Sequence, residues 1–319
     1  MMSLSRRLSA LLLAGLLMIL FSRVSAEGLT PLDMDSTAIA PAPKDENYLS
    51  DHEYRDESIH VIIDEGEYDG VHYTCAYVKI ADPSQLRTVP AAQANNPNAG
   101  FSNFSTNATL GRRIAQAANA VVAVNGDYIS ISKICHIAMR QGQQIRNIGK
   151  GYFDVLVINR AGDFEILPQC TLKDYSAYYK THADSMYQSF CFGPVLVQDG
   201  KSVIPENYRD NYIIADRLSQ RVALCQIGPL EYAIITCDGD ALTYTFGMDI
   251  LQFSHFCEEF GTRYSPDGFK IAYNLDGGNS ATLVFKQRDA DGNLVYQKLN
   301  MPERERDLAD MICFVTLVP

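Results

Sequence analysis

The chain has 319 residues, 47% of them hydrophobic and 20% charged, with 21 Gly and 13 Pro. That mixture can bury a sizeable core, which excludes disordered, collagen-like and coiled-coil chains. The formal net charge of −11 excludes the basic footprint of a nucleic-acid binder, so any anionic ligand must meet a local cluster of cations.

The elements follow in chain order. Arg6 and Arg7 precede an apolar run over residues 8–21, and Val24-Ser25-Ala26 supplies small residues at a cleavage site. Residues 1–26 read as a secretory signal peptide, with an uncleaved anchor as the alternative; the run is short for a bilayer span of about 20 residues. No later stretch has the length and apolarity of a span, so the expectation is a secreted or cell-surface, extracytoplasmic protein without a stable membrane span after signal removal. Residues 27–57 are rich in Pro, Asp, Glu and Ser and read as a linker. One domain is expected over 58–319.

Strands are expected at 58–63 and 71–80, then a loop at 90–104. Leu110, Ile114, Ala117 and Ala118 recur at helical spacing, which predicts a helix over 106–119. An apolar strand at 121–124 runs into Asn125-Gly126-Asp127-Tyr128. The second half is rich in hairpins: 154–159 with 164–167, 195–197 with 202–204 around Asp199-Gly200, and 222–227 with 231–236 around Gly228-Pro229. Ile250, Leu251, Phe253, Phe256, Cys257 and Phe260 form an apolar helical stripe, with Gly261 expected as its cap. A strand at 271–275 leads into Asp276, a hairpin joins 281–287 to 294–299, and a strand at 311–318 closes the chain. Hairpins with two inserted helices predict an α+β fold, with antiparallel hairpin-rich sheets packed around a few helices.

Two features have bland readings. The eight cysteines include no CxxC pair, so no structural zinc is expected; they allow up to four disulfides or a set of small buried hydrophobes. Asp289-Ala290-Asp291-Gly292-Asn293 looks like a calcium loop, but its glycine falls one position early and it lies between alternating strands, so it reads as a hairpin turn. No metal and no cofactor are expected.

Chemistry is expected where glycine-bounded turns end apolar strands, because there backbone can approach a ligand closely. Three such turns carry acids. They are Asn125-Gly126-Asp127, Asp238-Gly239-Asp240 and Asp276-Gly277-Gly278-Asn279-Ser280-Ala281-Thr282. In the third, the paired glycines free N–H groups to face an anion, and Asn279, Ser280 and Thr282 add short donors. The three turns are expected to converge on one cleft. Asp276, Asp127 and Asp238 are the candidate catalytic acids; the latter two have a structural alternative, bonding local N–H groups.

The order of these turns resembles the phosphodiester glycosidase family, which includes bacterial secreted proteins labelled exopolysaccharide biosynthesis proteins. The resemblance runs over about 58–318. It passes through residues 123–128, Phe192-Gly193-Pro194-Val195, Arg221-Val222-Ala223, Asp238-Gly239, Gly247-Met248 and Asn274-Leu275-Asp276-Gly277-Gly278-Asn279-Ser280, and ends at Arg306. Asn279 stands where the family commonly has a third glycine, Ser219-Gln220 where it often has His-Pro, and Asp240 where it often has Arg.

The resemblance implies hydrolysis of a sugar-1-phosphodiester, whose leaving group is already a stabilised anion. One carboxylate then suffices beside cationic anchors, and it stabilises an oxocarbenium-like state. Arginine suits the phosphate because its fork donates two hydrogen bonds at once. Arg140, Arg146, Arg221 and Arg306 are the candidates, the last two at family positions. Asn125, Gly126, Gly277, Gly278, Asn279, Ser280 and Thr282 complete the expected substrate site. The expected partner is a glycan or sugar-phosphodiester substrate, in a cell-surface glycan or exopolysaccharide, with no nucleic acid. The alternative is a non-catalytic glycan-binding or polysaccharide-assembly protein of the same fold; absence of Trp weighs slightly against it, although 18 Tyr can serve as stacking faces.

Overall fold

The computed structural model describes residues 28–101, 107–128, 136–209 and 214–319; the expected signal peptide and Cys135 lie outside them. Every strand pairing among the described residues is antiparallel. The long strands Ile59–Tyr68 and Val71–Ile80 form a hairpin closed by Asp69 and Gly70, both at positive φ (49° and 76°). Such a two-residue turn matches the natural twist of paired strands.

This hairpin belongs to a nine-stranded sheet. From one edge the order is Tyr48–Ser50, Glu53–Arg55, Ile59–Tyr68, Val71–Ile80, Glu231–Cys237, Arg221–Gly228, Ile271–Leu275, Val195–Gln198 and Lys201–Ser202. Side chains alternate across it. Val78, Val222, Leu224 and Ile234 face one way and meet Val122, Val124, Leu156, Ile158 and Phe314 of two five-stranded sheets. Cys75, Ala223, Cys225 and Ile235 face the other way and meet Phe253, Phe256 and Phe260. Because both faces are covered, these strands read as continuous apolar runs.

Three α-helices lie among the described residues. Helix α1 (Gly111–Ala117) packs on the sheet holding Ala120–Asn125, Leu283–Arg288 and Asp310–Val315. Helix α2 (Leu172–His182) packs on the sheet holding Phe153–Asn159 and Met186–Phe190. Helix α3 (Ile250–Gly261) covers the nine-stranded sheet, and its first turn is closed by Asp249 Oδ1, which accepts from the Gln252 N–H at 2.8 Å. None is long and apolar enough to cross a membrane.

Several local expectations change. Helix α2 was not legible: Tyr175 is its one fully buried residue, so it has no apolar stripe. Residues 48–55, within the expected linker, form two edge strands anchored by buried Tyr48 and Tyr54, whose rings meet edge to face 4.7 Å apart. Gly261 is the last residue of α3 rather than a left-handed cap; a Cβ there would lie 2.8 Å from the Phe269 nitrogen, so close packing demands glycine. The turn at Asp289 is a hairpin turn, with Asp289 Oδ1 accepting from the N–H groups of Asp291 and Asn293. The seven described cysteines are buried free thiols.

Candidate active site

The three acidic turns come together. Asn125 Nδ2 donates to the Asp276 carbonyl at 2.7 Å, and its Oδ1 accepts from the Thr282 N–H at 2.9 Å. The Asp276 N–H donates to the Gly126 carbonyl at 3.2 Å. The first and third turns are thus stitched together by main chain and one amide side chain. The second joins them through the strand end at Ser219-Gln220. A Cβ on Gly239 would lie 2.3 Å from the Gln220 nitrogen, one on Gly247 2.5 Å from the Ser219 oxygen, and one on Gly277 2.5 Å from the Gln220 oxygen. Glycines from three loops therefore close on one stretch of backbone, just ahead of Arg221.

Beside this junction lies a pocket of about 250 Å³. Asp276, Gly277, Gly278 and Ser280 form one wall, Arg221 and Arg306 supply positive charge, and Tyr128, Phe192 and Tyr244 supply rings. Asp276 is the one carboxyl among the described lining residues. It is half-buried and lines the pocket. Burial pushes its carboxyl up to about 7, with Asp127 adding to the rise; Ser280, Arg306 and the Gly277 N–H act against it. Arg306 forms no ion pair among the described residues, and its guanidinium lies 5.4 Å from the Tyr128 ring centre. Arg221 is buried, which lowers its pKa, and it donates to the carbonyls of Met248 (3.0 Å), Ile214 (3.1 Å) and Arg217 (2.7 Å).

Other candidates lie elsewhere. Asp127 accepts from the N–H groups of Cys191 (3.1 Å) and Phe192 (2.9 Å) and from Arg140 Nη2 (3.1 Å). Arg140 is fully buried, pairs also with Asp310 at 2.8 Å, and lies 4.2 Å from the Phe190 ring centre. These two do not face the pocket; they brace the loop that carries Phe192. Asp238 pairs with His72 at 3.3 Å, and burial raises its carboxyl above the usual range. It does not line the pocket, nor do Arg146 and Asn279. Asp240 accepts from Arg304 Nη1 at 3.3 Å, so that turn holds its arginine as a partner from another loop.

Sequence reasoning did not single out Phe192, Ser219, Tyr244 or Tyr128 as lining residues. Phe192 and Tyr128 adjoin conspicuous motifs, which was the available signal. Tyr244 carried no signal in the sequence; in the structure it adopts positive φ (57°), and Arg217 packs 4.9 Å from its ring centre.

The fold is shared with the catalytic domain of zebrafish N-acetylglucosamine-1-phosphodiester alpha-N-acetylglucosaminidase, solved in a form auto-inhibited by its pro-peptide. That likeness has a TM-score of 0.58 at 18% identity and covers 81% of this chain and 83% of that one. A hypothetical protein from Synechocystis matches with a TM-score of 0.45 at 14% identity, over 82% of this chain and 62% of that one. No curated protein matches the sequence. Residues 118–315 match the phosphodiester glycosidase family, and the chain belongs to it.

Proposed function

We propose that the protein is a hydrolase that cleaves the bond between the anomeric carbon and oxygen of a sugar-1-phosphodiester, within a cell-surface glycan or exopolysaccharide. The observation that carries this reading is the pocket itself: one carboxyl, which burial pushes up to about 7, flanked by Arg221 and Arg306 and walled by Tyr128, Phe192 and Tyr244. The rings offer faces for a sugar. The cations offset the phosphate charge on a chain whose overall field opposes anions.

The leaving phosphate monoester is a stable anion and needs no proton, so a single carboxylate serves. Asp276 as carboxylate takes a proton from water. The water oxygen bonds to the anomeric carbon as the bond from that carbon to the phosphate oxygen breaks, and the electron pair departs with phosphate. Arg306 and Arg221 stabilise the departing charge, and positive charge on the sugar ring faces Asp276. A base near pH 7 is well matched to this task. The residues between Arg6 and Ala26 support an extracytoplasmic location as part of the same reading.

The test is incubation with a phosphodiester of N-acetylglucosamine-1-phosphate, following free sugar. Release by the wild type and not by Asp276→Asn supports the reading. Binding without release across several such donors would favour a glycan-binding role.

A further inference from the structure

A second cavity, of about 450 Å³, lies on α1 and the neighbouring hairpin. Its walls carry Arg112, Arg113, Lys286, Leu294 and Tyr296. Three cations in one cavity are unusual on a chain of net charge −11. Arg113 has only distant neutral partners, Asn95 Oδ1 at 3.4 Å and Thr109 Oγ1 at 3.5 Å, and no ion pair among the described residues. Arg112 pairs with Glu305 at 3.1 Å and Lys286 with Asp45 at 3.5 Å. Arg112 and Asp45 are more than half exposed, so these pairs are weak and can yield to a ligand anion. Lys286 Nζ stands 5.2 Å from the Tyr296 ring centre, so charge and an aromatic face are offered together.

One chain segment links the cavity to the candidate active site. Glu305, which holds Arg112, is followed in the chain by Arg306, which lines the catalytic pocket. The next residues, Asp307 and Leu308, pair with Leu110 and Thr109, immediately before α1. One short segment therefore touches both sites, Glu305 by pairing with Arg112 and Arg306 by lining the catalytic pocket.

We infer that the cavity of Arg112, Arg113 and Lys286 is a second subsite, which holds a phosphate and sugar of the same polymer chain whose bond is cut at Asp276. This rests on the proposed glycosidase reading and deepens it: the substrate is a polyanionic glycan of sugars joined through phosphodiesters, longer than one repeat. The cations take the phosphate, and Leu294 and Tyr296 take the apolar face of a sugar. Occupying both sites makes the second contact intramolecular, which raises affinity for the polymer over the single repeat.

The test compares a synthetic dimer and hexamer of N-acetylglucosamine joined 1→6 through phosphodiesters. Binding is measured by anisotropy on Asp276→Asn protein, and KM on wild-type background, with Arg113→Gln and Arg113→Gln/Lys286→Gln. Arg113 is exposed, so its single variant keeps the fold. The hexamer is expected to bind about tenfold or more tighter than the dimer, with a steeper fall as salt rises. The double variant should reduce that preference to within about threefold, leaving KM for the dimer and kcat unchanged. An unchanged hexamer preference in both variants overturns the proposal, as does equal affinity of wild type for dimer and hexamer. Equally tight binding of an oligonucleotide of the same charge overturns the glycan assignment. If hexamer preference is present and lost in the variants while no sugar is ever released, the subsite stands and the hydrolase reading fails. If the dimer is hydrolysed without hexamer preference, the reverse holds.

Discussion

Replacing Asp276 by Asn should make the protein more stable and nearly inactive, with both effects governed by pH. The carboxyl is lifted from its ordinary value of 3.8 to about 7 by burial, against the pull of Ser280 and Arg306. Ionising a group so displaced costs roughly 4 kcal/mol relative to an unfolded chain. Water reaching Asp276 through the pocket screens part of this, which leaves about 2 kcal/mol. The sign follows from the raised value. The wild type enjoys the full stabilising contribution of the protonated carboxyl below about pH 4 and loses it as pH rises through about 7. Asn mimics the protonated form at every pH. Its Tm should therefore exceed that of the wild type by about 4 °C at pH 8, and the difference should vanish at pH 4. Rate should move the other way. Loss of a general base costs about a hundredfold or more in kcat, and wild-type kcat/KM should rise with pH through about 7. Calorimetry at the two pH values and sugar release across pH 5–9 check both halves. A variant with kcat within about threefold of wild type refutes the base role, and one that is no more stable at pH 8 refutes the burial argument.

Other perturbations separate substrate contacts from bracing. Arg306→Gln removes a charge that lowers the Asp276 pKa, so the rising limb of the pH–rate profile should move to higher pH, with KM increased about tenfold; an unmoved limb would place Arg306 away from the reaction. Arg140→Met leaves Asp127 and Asp310 buried without their shared cation and should cost about 3–5 kcal/mol in urea unfolding. A loss under about 1 kcal/mol would show that the triad does not brace the loop at 191–192. Gly239→Ala forces a Cβ against the Ser219-Gln220 backbone and should cost about 1–3 kcal/mol while raising KM, since Ser219 lines the pocket; full stability would mean the loops can separate freely.

The site was legible where chain neighbours carried it. Asp276, its paired glycines and Ser280 stand out as an acidic turn after an apolar strand, and Arg221 and Arg306 came from family positions. Arg140 looked the same as a phosphate anchor in sequence. Its role depends on Asp310, 170 positions away, and on a fully buried setting that local pattern does not encode. Asp127 likewise has its partners at Cys191 and Phe192. The three glycine turns were expected to meet, but the backbone on which the second and third close, Ser219-Gln220, drew notice only as a departure from the family pattern. In the fold, the hairpins and α3 followed from turn residues and the phenylalanine stripe. Helix α2 escaped because its face toward the sheet is tyrosine-rich and half-exposed, which weakens the periodic signal.

The most direct test of the central claim is hydrolysis of an N-acetylglucosamine-1-phosphodiester in water enriched in oxygen-18, with Asp276→Asn as control. Water attack on the anomeric carbon puts the label in the sugar and leaves the phosphate monoester unlabelled, and the Asn variant releases both products about a hundredfold or more slowly. Label in the phosphate, or release by Asp276→Asn within about threefold of the wild-type rate, contradicts the account.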